Sequence, residues 1–149
     1  MQTVIILRGA PGCGKTTWAS KYCDKHNTFV VLSMEALKDA YKQYESDLVD
    51  KNFKKLEFLL LRQALDNNLD VIIDDENFST ARIEMFIEII NKYIKSKKEK
   101  GQQAEVNCCI KDFQTPLHIC LLRNSMKKYP LPVKKVCMTY RMIKRKKSI

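Results

Sequence analysis

Residues 9–17 contain three of the four glycines in this chain, in the stretch GAPGCGKTT. Residues 9–16 of it match the pattern G-x-x-x-x-G-K-[ST]. A short apolar run precedes the match and a helical pattern follows it, which is the context that the motif requires. Closely spaced glycines let successive backbone amides turn toward one point, so the stretch predicts a loop that holds a phosphate chain.

The loop offers three kinds of phosphate contact. Amides at the start of the following helix, together with the helix dipole, favour an anion. The Lys15 ammonium can reach the β and γ phosphates, and the Thr16 hydroxyl can coordinate Mg²⁺. No N-K-x-D motif is present, which favours ATP over GTP, since NKYI at 91–94 lacks the aspartate. The predicted ATP-binding residues of the loop are Gly9, Ala10, Pro11, Gly12, Cys13, Gly14, Lys15, Thr16 and Thr17.

Carboxylates follow two of the apolar runs. Asp74 and Asp75 end one run, and Glu35 follows another. One of the two aspartates is expected to face Mg²⁺ or to orient a base through water, while the other only caps the sheet edge. Glu35 can accept a proton from a hydroxyl group. The alternative for Glu35 is an exposed helix-start glutamate that the helix dipole favours.

The elements that position these groups alternate along the chain. Apolar runs predict strands at 3–8, 28–33, 69–75 and 105–110, and helical spacing predicts helices at 15–25, 34–44, 51–68, 80–97, 115–125 and from about 133, with a polar loop at 96–103. Buried strands that alternate with helices predict an α/β fold: a doubly wound parallel sheet of about four to five strands with helices on both faces. Ligands of such sheets bind at the carboxyl ends of the strands.

Length and composition set outer bounds. A chain of 149 residues fits a single domain. No apolar run approaches the ~20 residues that span a bilayer, so the expected location is the cytoplasm or the nucleus. The six cysteines include no C-x-x-C pair and are interpreted as small apolar residues of a reducing compartment.

The net charge of +10 is unevenly distributed. Residues 1–112 contain 17 basic and 17 acidic residues, whereas residues 113–149 contain ten basic residues and no acidic one. Such a segment can bind nucleic acid by neutralising its phosphates. A solubilising tail or a localisation signal remains an equal alternative.

These motifs together resemble the kinase domain of the phage-type 5′-polynucleotide kinases. The chain is too short for a mechanical ATPase, and only Gly101 follows the loop, which disfavours kinases that hold their acceptor with further glycine loops. The resemblance covers most of the chain, through GAPGCGKTTWA, LSMEALK, IIDDEN, LLRNSMK and LPVKKVCMTYRM. It implies a P-loop kinase fold, a basic lid and helix region at about 113–149, and transfer of the γ-phosphate of ATP to a 5′-hydroxyl of DNA or RNA.

The resemblance also assigns roles to residues of this chain. Glu35 stands at the position of the catalytic aspartate, Lys38 at an arginine that contacts the acceptor, and Lys127 at the lid arginine. Asp75 and Asn77 match an Asp-Thr-Asn motif. The implied catalytic residues are Lys15, Glu35, Arg123 and Lys127, with Arg123 also on ATP; the implied acceptor-binding residues are Glu35, Lys38, Asp75, Asn77 and Arg82; and the implied metal ligands are Thr16 and Asp75.

The departures at positions 35, 38 and 127 keep the sign of each charge. They favour altered acceptor preference or reduced rate over loss of activity. A lysine, for example, meets a phosphate as a point charge and not bidentately. Two alternatives remain open: a small-molecule or nucleoside kinase on the same scaffold, and a catalytically silent nucleic-acid-binding protein that depends on nucleotide. The sequence does not indicate an oligomeric state.

Overall fold

The computed structural model describes residues 1–40 and 47–114. This part of the chain contains four strands and four helices. Their order is β1 (Gln2–Arg8), α1 (Lys15–Lys25), β2 (Phe29–Leu32), α2 (Met34–Ala40), α3 (Asp47–Asp66), β3 (Asp70–Asp74), α4 (Thr80–Glu99) and β4 (Val106–Asp112).

The strands form one parallel sheet in the order β2-β3-β1-β4. β1 pairs with β3 on one side and with β4 on the other, so that Ile5 lies opposite both Ile72 and Cys109. Because all strands are parallel, their carboxyl ends share one edge. The loop after β1 therefore lies between the ends of β3 and β4.

Helices cover both faces of the sheet. On one face, α3 and α4 bury Leu61, Leu65, Phe86 and Ile90 against Val4, Ile6, Val71 and Ile73 of the strands. On the other face, Ala19 of α1 packs with Ile5, Leu7, Ile72, Cys109 and Phe113. Alternate residues of β1 thus enter opposite cores, as expected for a strand with a period of two. The predicted α/β fold with helices on both faces is confirmed.

The boundaries of two helices differ from the prediction. α3 begins at Asp47. α4 continues to Glu99, so the first part of the predicted loop at 96–103 is helical. The chain leaves α4 at Gly101, whose φ is 71°. The Gly101 amide donates to Lys98 O at 3.0 Å and the Gln102 amide to Lys97 O at 3.0 Å, which is the Schellman pattern of a helix end.

Among the residues described, no helix is both long enough and apolar enough to cross a membrane.

Candidate active site

The backbone of the loop is built to present amides. Gly12 and Gly14 have φ values of 81° and 97°, in the left-handed region that glycine occupies without strain. The first hydrogen bond of α1 runs from the Trp18 amide to Gly14 O at 3.0 Å. Within the described residues no side chain caps this helix end, and its first turn contains no acidic residue. The loop and the helix start therefore present the positive end of the α1 dipole to an anion.

Lys15 lies against this loop. Its side chain is buried, and Nζ donates to Gly9 O at 2.8 Å and to Ala10 O at 3.0 Å. A third contact of 3.6 Å joins Nζ to Cys13 Sγ. The ammonium is therefore held at the loop, where a phosphate chain would meet it.

Gly9 is needed for space. A Cβ atom at this position would lie 2.6 Å from Cys13 Sγ and 3.0 Å from Phe113 Cβ. The Gly9 amide donates to Glu76 O at 3.1 Å, and the Phe113 amide donates to Arg8 O at 2.8 Å. The start of the loop is thus tied to the chain that follows β3 and to the end of β4.

A hydroxyl and a carboxylate meet beside the loop. Thr16 Oγ1 donates to Asp74 Oδ2 at 2.7 Å, and Asp74 is buried at the end of β3. These hard oxygen donors fit Mg²⁺, which usually takes one or two protein oxygens and completes its shell with phosphates and water. The described residues contain no group of three or more His, Cys, Asp or Glu side chains that would hold a metal without a nucleotide. The carboxylate bonded to Thr16 is Asp74 and not Asp75, so the geometry favours Asp74 as the metal ligand, and the role implied for Asp75 stays a prediction.

Asp75 belongs to a buried acidic cluster. Arg82 Nη2 donates to Asp75 Oδ2 at 3.0 Å and to Glu57 Oε2 at 2.6 Å. Glu57 is fully buried, and its Oε1 accepts no hydrogen bond from the described residues. Burial, followed by a hydrogen bond with Asp75, raises the pKa of Glu57 to about 8. Burial also raises the pKa of Asp75. Both carboxyls therefore keep a proton to higher pH than free side chains would, which limits the negative charge beside Arg82.

Asn77 fixes the chain that leaves β3. Its φ is 53°, and it is buried. Asn77 Nδ2 donates to Leu7 O at 2.6 Å and to Asp75 O at 3.3 Å, while Oδ1 accepts from Arg82 Nε at 3.2 Å. These bonds join the ends of β1 and β3. The substrate-binding roles predicted for Asn77 and Arg82 are untested, and both side chains are engaged inside the protein.

Glu35 and Lys38 lie on α2, which follows β2. Ser33 Oγ accepts from the Ala36 amide at 3.2 Å and caps this helix. The Met34 amide lies 3.5 Å from Asp75 Oδ2, which brings the first turn of α2 to the end of β3. Glu35 is exposed in that first turn, and Lys38 is half-buried in the last turn. Their predicted roles remain predictions.

The remaining predicted site residues lie outside the described part of the chain. They are Arg123 and Lys127, and the other eight basic residues of the segment 113–149 also lie outside it. The helices predicted at 115–125 and from about 133 lie outside it as well.

The sequence interpretation missed two buried charged residues. Glu57 lies in a helix that it treated only as scaffold, although a glutamate within LEFLLL was a visible exception. Lys111 of β4 is also buried, and its Nζ lies 4.5 Å from the centroid of the Trp18 ring. Desolvation lowers the pKa of Lys111. A lysine inside the strand NCCIKD was the corresponding signal.

Known proteins resemble this chain in sequence and in fold. A curated L-seryl-tRNA(Sec) kinase of Methanococcus maripaludis is 23% identical over 137 residues, which cover 87% of this chain and 48% of that protein. A chain in the structure of a Pnkp1/Rnl/Hen1 complex superposes with a TM-score of 0.71 at 20% identity, over 97% of this chain and 45% of that one. The APS kinase of Mycobacterium tuberculosis superposes with a TM-score of 0.52 at 12% identity, over 85% of this chain and 95% of that one. The chain thus spans about half the length of the curated relative that it matches, and the structural likenesses show the fold.

A family model described as an AAA domain, AAA_33, matches residues 4–136. This match includes the phosphate loop, the sheet from residue 4 onward and the cluster of Glu57, Asp75 and Arg82. Together with the geometry of the loop, it means that the chain belongs to the AAA_33 family and has a P-loop fold.

Proposed function

We propose that this protein is an ATP-dependent 5′-hydroxyl polynucleotide kinase, which transfers the γ-phosphate of ATP to 5′-OH ends of DNA or RNA. One observation carries the kinase chemistry: two contacts lie next to each other at the carboxyl edge of the sheet. The contact between Thr16 and Asp74 marks the donor side. The contact between Met34 and Asp75 brings the helix with Glu35 to the same edge.

The chemistry follows from this arrangement of charges. Thr16 and Asp74 would hold Mg²⁺, which offsets phosphate charge when it is bound. The Lys15 ammonium and the loop amides bind the phosphates and stabilise the charge that builds up during transfer. Glu35 accepts the proton of the attacking hydroxyl, whose oxygen forms a bond to the γ-phosphorus while the bond to the β–γ bridging oxygen breaks. Positioning of charge therefore accounts for most of the catalysis.

Two further observations support a polynucleotide as acceptor. The last 37 residues contain ten basic and no acidic side chains, which suits a strand of phosphates. Solved structures of similar fold come from an assembly described as an RNA repair complex. Arg123 and Lys127 belong to this basic segment, and we propose that they stabilise transferring phosphate on the donor side.

The decisive experiment offers several acceptors in parallel. Labelled γ-phosphate of ATP is supplied with 5′-OH single-stranded DNA, 5′-OH single-stranded RNA and free nucleosides, and we expect transfer to the oligomers. Lys15→Ala should abolish transfer, whereas Lys21→Ala, which removes an exposed lysine from the same helix, should leave it unchanged. Transfer to nucleosides as readily as to oligomers would instead identify a small-molecule kinase. Binding of oligomer without any transfer would identify a silent binding protein.

A second acceptor class has one specific observation in its favour. The curated relative at 23% identity is a kinase described as acting on L-seryl-tRNA(Sec). A serine hydroxyl carried on an RNA would meet the same carboxylate and the same basic segment. An aminoacylated tRNA with a serine ester therefore belongs among the acceptors, and transfer to it alone would favour this class.

A further inference from the structure

Glu57 is a buried acid that the proposed transfer step does not use. It lies in the middle of α3, and its neighbours on the buried side of that helix are apolar: Phe53, Leu61, Ala64 and Leu65. Burial of a carboxyl group is costly unless it has hydrogen-bond partners. Glu57 Oε2 accepts a hydrogen bond from Arg82 of α4, and Arg82 in turn donates to Asp75 at the end of β3.

The Arg82 guanidinium is held from several directions. Nη2 is shared between Glu57 and Asp75, and Nε donates to Asn77. The guanidinium also lies 5.1 Å from the centroid of the Phe86 ring. These contacts hold the planar guanidinium in one orientation. Because Asp75 Oδ2 accepts from the same guanidinium, its position depends on that orientation.

Asp75 in turn contacts the first turn of α2, through the Met34 amide. None of the seven residues of α2 is buried, so packing alone fixes this helix weakly. Its first turn is held instead by the Ser33 cap and by the contact of the Met34 amide with Asp75. Glu35 is the next residue. A displacement of about 1 Å at a reacting group can lower a rate by roughly 10²-fold.

We propose that Glu57 and Arg82 are positioning residues for phosphate transfer. Glu57 orients Arg82, Arg82 orients Asp75, and Asp75 fixes the first turn of α2, which carries Glu35. The inference rests on the proposed function, because it assumes that Glu35 receives the proton of the acceptor.

Two isosteric substitutions separate the hydrogen bond from the packing. Glu57→Gln keeps an oxygen that accepts from Arg82, whereas Glu57→Met fills a similar volume without an acceptor. We expect Glu57→Met to lower kcat by about tenfold or more and to leave the Kd for ATP within about twofold of wild type. Glu57→Gln should restore most of kcat. Glu84→Gln, on the exposed face of α4, is the matched control and should behave as wild type.

A second readout does not require activity. Hydrogen–deuterium exchange of the peptide 33–40 reports whether the first turn of α2 is held. We expect faster exchange in Glu57→Met than in wild type, with Glu57→Gln close to wild type. If the wild-type protein phosphorylates no acceptor but this exchange pattern is observed, the proposed function fails while the chain of contacts stands.

A double-mutant cycle tests whether the residues act in series. Arg82→Lys should reproduce the effect of Glu57→Met, and the double variant should be no worse than the more severe single variant. If Glu57→Met does not fold, Arg82→Lys alone tests the proposal through its kcat and its exchange at 33–40, because it breaks the same set of contacts from α4. The proposal would be overturned if the losses of kcat in the two single variants add fully in the double variant. It would also be overturned if Glu57→Met and Arg82→Lys both keep the wild-type kcat and exchange rate. A parallel loss of ATP binding and kcat would do so as well, since it indicates a purely structural role.

Discussion

Asp74 and Asp75 are adjacent in sequence and have different partners. Asp74 bonds to the Thr16 hydroxyl, whereas Asp75 bonds to Arg82 and contacts the amide of α2. We therefore expect Asp74→Asn to raise the Mg²⁺ concentration for half-maximal activity by about tenfold or more. Asp75→Asn should lower kcat and leave that concentration within about twofold. Titration of Mg²⁺ at saturating ATP measures both effects, and the reverse order would make Asp75 the metal ligand.

Glu57 makes stability depend on pH in a defined direction. Its pKa is raised from 4.5 to about 8 by burial and then by its hydrogen bond with Asp75, and it faces Asp75 and Arg82. Between these two pH values the unfolded carboxyl is ionised while the folded one keeps its proton. The stability that Glu57 contributes is therefore complete below pH 4.5 and is lost as the pH rises through about 8, at up to ~1.4 kcal/mol per pH unit.

Urea unfolding at several pH values between 5 and 8 tests this slope. Glu57→Gln lacks the titrating group, so we expect its free energy of unfolding to depend less on pH than that of wild type. Glu84→Gln should keep the wild-type slope. Equal slopes in all three proteins would mean that Glu57 is ionised in the folded state.

The sequence pattern defines the phosphate loop by consecutive residues, whereas it does not indicate the acidic cluster. Backbone amides, a lysine and a hydroxyl form the loop site within eight consecutive positions, so the pattern is local. The cluster joins Glu57 to Arg82, 25 positions away, and depends on how α3 and α4 pack. The sequence also does not show which of Asp74 and Asp75 bonds to Thr16. Neighbouring residues of a strand point to opposite sides, and only the strand order shows which side faces Thr16.

At the level of elements, apolar patterning predicted the four strands of the described residues. The central strands β1 and β3 are buried between two layers of helices, whereas the edge strands β2 and β4 are only partly buried. The end of α4 was missed for a reason that the structure shows. The lysine-rich sequence KSKKEK resembles a polar loop, yet it lies on the last turn of a helix, where basic side chains favour the dipole. Gly101 marks the true end through its left-handed backbone.

Gly101 allows a test of this helix end in isolation. A Cβ at Gly101 would meet nothing within 4 Å, so substitution changes only the backbone preference. We expect Gly101→Ala to lower the free energy of unfolding by about 1 kcal/mol. Gly101→Asn should cost less, since asparagine tolerates this conformation better. Urea unfolding compares the two, and an equal loss in both variants would argue against the backbone explanation.

Charge is the property that belongs to the whole molecule. Residues 1–112 are balanced, so the net charge of +10 comes entirely from the last quarter of the chain. The chain therefore combines a part with balanced charge, residues 1–112, with a basic segment that can attract a polyanion over several ångströms. Arg123 and Lys127 have a proposed role on the donor side, whereas the other eight basic residues of the segment would matter to transfer only if the acceptor is a polymer.

Truncation after Tyr140 tests that role. It removes five basic residues: Arg141, Lys144, Arg145, Lys146 and Lys147. Each phosphate that a protein neutralises on a single strand adds about 0.7 to the slope of log K against log salt. We expect the truncated protein to bind a 5′-OH oligomer more weakly and to bind ATP as before. Its salt slope should be smaller by roughly 0.7 for every phosphate that the removed side chains neutralise in the full chain.

The control for this truncation keeps the charge and changes the side chains. Replacement of Lys144, Lys146 and Lys147 by arginine should leave the salt slope unchanged, because counterion release depends on charge and not on the shape of the donor group. An unaltered slope and affinity after truncation would identify residues 141–149 as a solubilising tail. In that case the recognition of a polymer would have to come from residues before 141, and Lys38 and Arg123 would be the next basic side chains to replace.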